Sequence, residues 1–316
     1  MIELAIMLEG QNGLTWSRWQ RLARAVEDFG FVGLYRSDHF TNATAPDRDS
    51  LELWTSLTWL ATNSTRIEFG PLVTPVSFRH PALTARMARE VDDLSGGRLT
   101  LGLGAGWQDR EHTNFGFDLL ELRARFARFE EGLEVTTRLL TSDAPVNFSG
   151  AYFRLNDAIL LPRPHRRIPI LIGGNGEKKT LSLVARYADE WNATFQTPEN
   201  FARLCARLDE ILERSGKERS GERSLHLSSR VRRSLMTGCI FGKDPAALRE
   251  KIAVRGRTFE QLRERGIIVG DAAQVVDQLE QLARAGCQRV MLQWLDLDDL
   301  DGLESFARTV LPQMKN

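Results

Sequence analysis

Two stretches of the chain carry groups whose types and spacing suit chemistry. Asp38-His39 follows the run Val32-Gly33-Leu34-Tyr35-Arg36-Ser37, so a carboxyl and an imidazole stand where an apolar strand gives way to polar residues. Imidazole titrates near neutrality, which suits His39 to passing a proton to or from a hydroxyl; the alternative is a histidine bonded to backbone for structure. Asp38 is either a ligand-binding carboxylate or the cap of the turn after that strand. The second stretch, Gly173-Gly174-Asn175-Gly176, follows the apolar run Ile170-Leu171-Ile172 and precedes helical spacing from Lys178 onward. Amides exposed there, with the positive end of a helix dipole behind them, suit an anion such as a phosphate; otherwise the glycines only turn the chain into the helix.

The elements that must position these groups alternate along the chain. Strands are expected over residues 4–8, 32–35, 67–73, 99–104, 170–172, 191–194 and 289–294, and an extended stretch over 225–241. Helices are expected between them. The first, capped by Thr15 or Ser17, has the stripe Trp16, Trp19, Leu22, Ala23, Val26 and Phe29 and is stopped by Gly30. Others are expected over 51–61, from Pro81 to Ser95-Gly96-Gly97, over 119–140, and from Lys178 with Leu181, Val184, Ala185 and Ala188 on one face. The last ones are expected from Pro198 to 215, over 271–285 and over 300–311, with a charged turn at 216–223. A hairpin is read at 146–153 and a charged helical insertion at 246–265.

Eight strands alternating with helices imply a parallel sheet, and at this length they favour a closed α/β architecture, the (β/α)8 TIM barrel, over an open doubly wound sheet. The expectation is one barrel domain over residues 1–316 with insertions at about 141–165 and about 242–268. In a barrel the C-terminal strand ends share one rim. Asp38-His39, Val73-Thr74-Pro75, Gly106-Trp107, the glycine turn, Asn192 and Gln293-Trp294 then converge although they are scattered in sequence.

The 316 residues hold 42 Lys+Arg and 42 Asp+Glu, so no net charge steers the chain toward nucleic acid or an acidic membrane, and a small-molecule partner is expected. No apolar run approaches the roughly 20 residues of a membrane helix, and the N-terminus begins a strand instead of a basic leader, which points to the cytoplasm. Cys205, Cys239 and Cys287 are odd in number and far apart, so reduced packing residues are expected, with no metal site.

Taken together, Ser37-Asp38-His39-Phe40, Arg79-His80-Pro81, Ser95-Gly96-Gly97-Arg98 leading to Leu101-Gly102-Leu103-Gly104-Ala105-Gly106-Trp107, Ile172 to Thr180, and Tyr187-Ala188-Asp189-Glu190-Trp191-Asn192 resemble the bacterial luciferase-like flavin superfamily. The Ser-Asp-His after the second strand resembles its branch dependent on the deazaflavin coenzyme F420. The resemblance implies that Gly173, Gly174, Asn175 and Gly176, with Thr180 at the helix start, hold a cofactor phosphate. It also implies that Asp38 bonds the ring region, that Val73-Thr74 forms a bulge with a non-proline cis peptide behind the ring, and that His39 is the acid/base. Gly106 and Trp107 fall at the cofactor rim, where Trp107 either walls the pocket or is plain core. His80, before Pro81, reads as structural. An acid expected near Trp107 and a tryptophan expected near Ala43 in the related sugar-phosphate dehydrogenases are both missing, which puts a sugar phosphate in doubt. Glu111 and His112 fall in the next loop, where solvated residues are the common case. Two basic groups, 163–167 and 230–233, suit the acidic tail of a deazaflavin if they stand at the rim and are otherwise ion-paired loops.

The activity implied is hydride transfer between coenzyme F420 and a small organic substrate. Two alternatives use the same barrel: an FMN-dependent monooxygenase fed by a separate flavin reductase, and a flavin- or deazaflavin-binding protein without turnover. A metal-dependent hydrolase is disfavoured because Ala5-Ile6-Met7-Leu8 offers no ligand. A homodimer is expected from the resemblance, with Trp54, Leu57 and Trp59 either at its face or packed inward.

Overall fold

The computed structural model describes residues 2–218 and 231–314, so part of the charged turn, the segment 225–230 and Arg230 lie outside the described residues. The eight barrel strands are β1 (Glu3–Leu8), β2 (Gly33–Arg36), β3 (Glu68–Pro71), β4 (Leu101–Gly104), β5 (Ile170–Gly173), β6 (Glu190–Thr194), β7 (Arg232–Phe241) and β8 (Arg289–Gln293). Each pairs in parallel with its neighbours: Ile6 stands opposite both Leu34 and Leu292, and Leu103 opposite Ile172. Eight helices cover the outside: α1 (Trp16–Phe29), α2 (Leu53–Asn63), α3 (Pro81–Leu94), α4 (Leu122–Thr141), α5 (Thr180–Tyr187), α6 (Pro198–Glu218), α7 (Ala272–Arg284) and α8 (Leu300–Thr309).

Strand alternation sorts the core into two layers. Ala5, Met7, Tyr35, Leu72, Leu171, Met236 and Met291 pack inside the barrel, while Leu4, Ile6, Leu8, Leu34 and Leu292 point outward against the helices. Strands buried on both faces must be apolar throughout, which is why they were legible as short runs. Caps fix the helix starts: Thr15 accepts from Arg18 N–H, and Asp271 forms a capping box with Gln274.

The ring closes between β3 and β4 with little pairing. Phe69 N–H donates to Arg98 O at 3.2 Å and Thr100 N–H to Phe69 O at 2.9 Å. The expected strand 67–73 stops at Pro71, the Leu72–Val73 peptide is cis, and Thr74–Pro75 then pairs with Leu103 and Gly104. The non-proline cis bond implied by the resemblance therefore lies one bond before Val73–Thr74. A Cβ on Gly70 would come within 1.9 Å of Thr100 O, and one on Gly102 within 2.0 Å of Pro71 O, so this seam admits only glycine.

Three local readings change. The hairpin reaches further than expected, with Val146–Ser149 antiparallel to Arg154–Ala158, and its tip is held by Glu131 of α4, which accepts from the N–H groups of Ala151, Tyr152 and Phe153. The insertion at 246–265 is two helices, Pro245–Val254 and Phe259–Glu264, and it is followed by an unforeseen strand, Ile268–Gly270, alongside the outer end of β7. Ile267-Ile268-Val269 is too short for periodicity to assign, and its free edge is satisfied by a side chain: Gln278 accepts from Val269 N–H and donates to Val269 O. A short helix, Asp109–Phe115, also replaces the loop expected after β4.

Among the described residues no helix is long and apolar enough to cross a membrane. Cys205, Cys239 and Cys287 are buried and unlinked. Gly70→Ala should destabilise the protein by about 1–3 kcal/mol in urea unfolding, because a methyl at the seam forces two backbones apart; an unchanged midpoint would show that the seam gives way freely.

Candidate active site

The C-terminal rim is built outward from buried Arg36 at the end of β2. Its guanidinium donates to Ser56 Oγ at 2.6 Å, Leu51 O at 2.7 Å and Ser37 O at 3.3 Å, which pins the loop after β2 to α2. Burial pushes its pKa down to about 10, against the pull of Asp38, Glu52 and Glu9. Ser37 bridges to the loop after β1: its hydroxyl donates to Gln11 Oε1 at 2.8 Å and accepts from Gly10 N–H at 2.9 Å.

Asp38 is buried and committed. Its Oδ2 accepts from Thr74 Oγ1 at 2.7 Å and from Arg79 Nη1 at 2.5 Å, and Arg79 also donates to Glu52 at 2.8 Å. The residue ties the β2 loop to the bulge after β3, and neither Asp38 nor Thr74 lines the cavity described below. His39 does line it. Its Nδ1 stands 2.8 Å from Glu111 Oε1, and Glu111 Oε2 accepts from Phe40 N–H at 3.0 Å. Ser50 Oγ donates to His39 O at 2.7 Å. With Nδ1 occupied, Nε2 is the ring nitrogen left for the cavity.

Glu111 and His112 correct the sequence reading of solvated loop residues. Glu111 is 1% and His112 2% exposed, because Asp109–Phe115 folds back over the rim. His112 Nδ1 meets Gln108 O at 2.7 Å, so that nitrogen carries the proton and Nε2 accepts from Ser77 Oγ at 2.8 Å. His39 is tuned by opposing effects: burial lowers its pKa, but the hydrogen bond and charge of Glu111, with Glu9 and Asp38 behind, outweigh it and hold the imidazole above its ordinary value.

These side chains face a cavity of about 550 Å³. Met7, Leu72, Val73, Pro75 and Met236 make its inner wall, and Trp107, Leu122, Phe126 and Phe195 stand at the mouth. Trp107, 60% exposed, settles the choice between wall and core: it is wall, edge-on to His39 with ring centroids 5.6 Å apart. Gly104 and Gly173 leave room for Val73, since a Cβ on either would come within 2.5 Å and 3.2 Å of its methyls. Gly106, at φ +84°, lines the same wall.

The glycine turn begins beside Val73, and its Gly173 and Gly174, with Thr180, line the cavity. Gly174, at φ +125°, donates its N–H to Asn192 O at 2.9 Å, and the Asn175 side chain both donates to Thr194 O and accepts from Thr194 N–H. Asn175 thus staples β5 to β6 with its side chain. The main-chain N–H groups of Asn175 and Gly176 find no acceptor among the described residues, and both residues lie just outside the lining of the cavity. Beside the turn, Asn192 lines the cavity but is 1% exposed; its amide donates to Ser234 Oγ at 2.9 Å, and its Oδ1 is buried without a partner among the described residues. Free amides of the glycine turn next to the cavity, at the start of a helix, and an apolar shelf at Val73 fit a flat heteroaromatic ring with an anionic tail.

Other expectations separate from the site. Arg166 pairs with Asp92 at 2.6 Å, Arg167 with Asp189 at 2.7 Å, and Arg233 with Asp209. All lie at the N-terminal strand ends, opposite the rim, so the ion-paired reading holds and the cofactor-tail reading of these basic groups fails. His80 caps α3 by accepting from Ala82 N–H. Trp54 and Leu57 are buried within the chain, which leaves only Trp59 of the three partly exposed. Sequence reading missed Glu9 and Arg125, both of which line the cavity; Glu9 follows β1 as the first polar residue after an apolar strand, the same signal that marked Asp38.

A family model described as luciferase-like monooxygenase matches residues 3–266. An F420-dependent glucose-6-phosphate dehydrogenase of Intrasporangium calvum is 27% identical over 319 residues, covering 92% of each chain. A 4-hydroxyprotoasukamycin monooxygenase of Streptomyces nodosus subsp. asukaensis is 27% identical over 334 residues, covering 95% of this chain and 87% of that one. Among solved structures, an F420-dependent secondary alcohol dehydrogenase in complex with an F420-acetone adduct superposes with a TM-score of 0.86 over 100% of this chain and 99% of its own, at 18% identity. The shared fold is the barrel derived above.

Glu111→Gln keeps the hydrogen bond and removes the charge. The pH limb assigned to His39, read by NMR titration of its ring protons, should move to lower pH; a limb that stays in place would show that Glu111 does not hold the imidazole's charge.

Proposed function

The chain belongs to the luciferase-like monooxygenase family, and from that premise we propose that it transfers a hydride between coenzyme F420 and a small organic substrate. The observation that carries the reading is His39: a cavity-lining imidazole, oriented by a buried carboxylate, with Nε2 open beside an apolar shelf. When bound, the deazaflavin supplies a ring carbon that takes up or returns hydride.

The chain's own residues do the rest. Asn175 and Gly176 N–H groups and the Thr180 hydroxyl hold the phosphate at the start of α5, and Gly173 and Gly174 let it approach the backbone. Val73, backed by Gly104 and Gly173, forms the shelf for the ring. Asp38 acts through Thr74 and Arg79, fixing the bulge after β3. His39 Nε2 takes the hydroxyl proton as the carbinol carbon gives up hydride, and Glu111 stabilises the imidazolium that results. In the reverse direction the same nitrogen returns the proton to a carbonyl oxygen. Trp107, Leu122, Phe126 and Phe195 narrow the mouth and keep water from the reacting atoms.

A second reading, an FMN-dependent monooxygenase served by a separate flavin reductase, is favoured by the equal identity of the Streptomyces monooxygenase. For a homodimer face on α2, Trp59 is the one of the three expected residues left partly exposed, Trp54 and Leu57 being buried within the chain.

Titration of the purified protein with both cofactors should give tighter binding of coenzyme F420, and tighter binding of FMN would overturn the preference. His39→Ala should lower turnover by about 10²–10⁴-fold while cofactor affinity changes little. An unchanged rate would remove His39 from the proton path, and a protein that binds cofactor with no turnover on any alcohol or carbonyl would favour storage.

A further inference from the structure

Glu9 occupies the loop after β1 and lines the cavity. Its two carboxylate oxygens are held by neutral amides, Oε1 by Gln293 Nε2 at 2.7 Å and Oε2 by Gln11 Nε2 at 2.8 Å. Gln11 is fixed in turn by Ser37, whose hydroxyl donates to Gln11 Oε1 at 2.8 Å, so neither the amide orientation nor the carboxylate position is free. Among the described residues Glu9 forms no ion pair. The carboxylate is thus fixed in a partly enclosed pocket by neutral partners, and it acts on Arg36 and His39 only through space. Each oxygen keeps an unused lone pair for a further donor.

The rest of the lining reinforces the sign. Arg125 is the one lysine or arginine among the described residues that line the cavity, and its guanidinium already donates to three carbonyls: Leu119 O at 3.1 Å, Leu120 O at 3.0 Å and, more weakly, Gly106 O at 3.4 Å. His39 is matched by Glu111. Above these groups the mouth is apolar and aromatic through Trp107, Leu122, Phe126 and Phe195.

We infer that the substrate has an apolar body and a hydrogen-bond-donating head, a hydroxyl or an amine, and that Glu9 is the residue that turns away anions. The inference rests on the oxidoreductase reading for its setting, not for its logic. A phosphate or carboxylate on the substrate would enter beside the Glu9 carboxylate, in a pocket where low polarity strengthens the repulsion, while the guanidinium of Arg125 is held to the carbonyls of the loop before α4. An O–H or N–H head instead meets Glu9 as an acceptor, and the aromatic mouth covers its body.

Cyclohexanol, cyclohexylamine and cyclohexyl phosphate share one body and differ only in the head. Their binding by calorimetry is measured on protein loaded with whichever cofactor binds more tightly, and again on cofactor-free protein. The alcohol and the amine should each bind at least tenfold more tightly than the phosphate, and whichever of the two binds better identifies the head. Glu9→Gln, which preserves shape and can still accept from one amide, should shrink the gap to the phosphate at least threefold. Phosphate binding as tight as that of the alcohol and amine, no binding of any probe, or a gap unchanged in Glu9→Gln would each overturn the inference; the wild-type ranking decides even if the variant does not fold. Failure to load either cofactor, read separately by ring absorbance, counts against the oxidoreductase reading and leaves the probe ranking as the test of Glu9.

Discussion

A ring of parallel strands has to close, and in this protein closure is the constraint on which the site depends. Between β3 and β4 the backbones approach so nearly that Gly70 and Gly102 cannot carry a side chain. Pairing there is reduced to a bridge around Phe69, and the chain departs from strand geometry at Leu72–Val73 before rejoining β4 at Thr74–Pro75. Val73 lies in this stretch and lines the cavity. Gly104 and Gly173 flank it because any larger residue would fill the space its methyls occupy. The shelf at the bottom of the site is therefore a product of how the barrel seals, and Asp38, bonded to Thr74 and Arg79, braces the same seam from the β2 side.

The second determinant is the treatment of buried charge. Arg36, Asp38, Arg79 and Glu111 are all withdrawn from water at the rim, and each is matched by charges or by several hydrogen bonds. Removing one partner strands the other, so these residues hold loops from β1, β2, β3 and β4 in a single arrangement. His39 gains its chemistry from that arrangement. An imidazole in an apolar pocket alone would lose its affinity for a proton; with Glu111 behind it, the ring keeps that affinity and its Nε2 stays directed to the cavity.

How far the sequence discloses this depends on the range of the interaction. Apolar runs such as Leu4 to Leu8 and Ile170 to Ile172 mark strands because both faces of a parallel strand are buried, and the abrupt polar residues after them mark the rim. The glycine turn and His39 follow from local chemistry. Glu111 does not: nothing near it in the chain shows that a short helix will bring it 2.8 Å from an imidazole 72 positions earlier. Glu9 was hidden the same way, since its meaning comes from Gln293 at the far end of the chain. The basic stretch 163–167 left two readings open, because a basic cluster in sequence gives no sign of which end of the barrel it will occupy. Asp92 and Asp189, which claim Arg166 and Arg167, settle that question. The strand Ile268–Gly270 went unread because its edge is completed by a side chain, Gln278, instead of a neighbouring strand.

The cavity that results is electrically divided. At the start of α5, unpaired N–H groups of Asn175 and Gly176, the helix dipole and the neighbouring Lys178 and Lys179 favour negative charge. On the loops after β1 and β4, Glu9 and Glu111 disfavour it. A molecule with an anionic tail and a ring that offers N–H groups is oriented by this division alone, tail to the glycine turn and ring toward Val73, before any specific bond is made. The one guanidinium in the wall among the described residues, Arg125, is tied to the carbonyls of Gly106, Leu119 and Leu120 that shape the loop before α4. Positioning the loop and accepting an anion are competing uses of a single arginine, and in this chain the backbone has taken it.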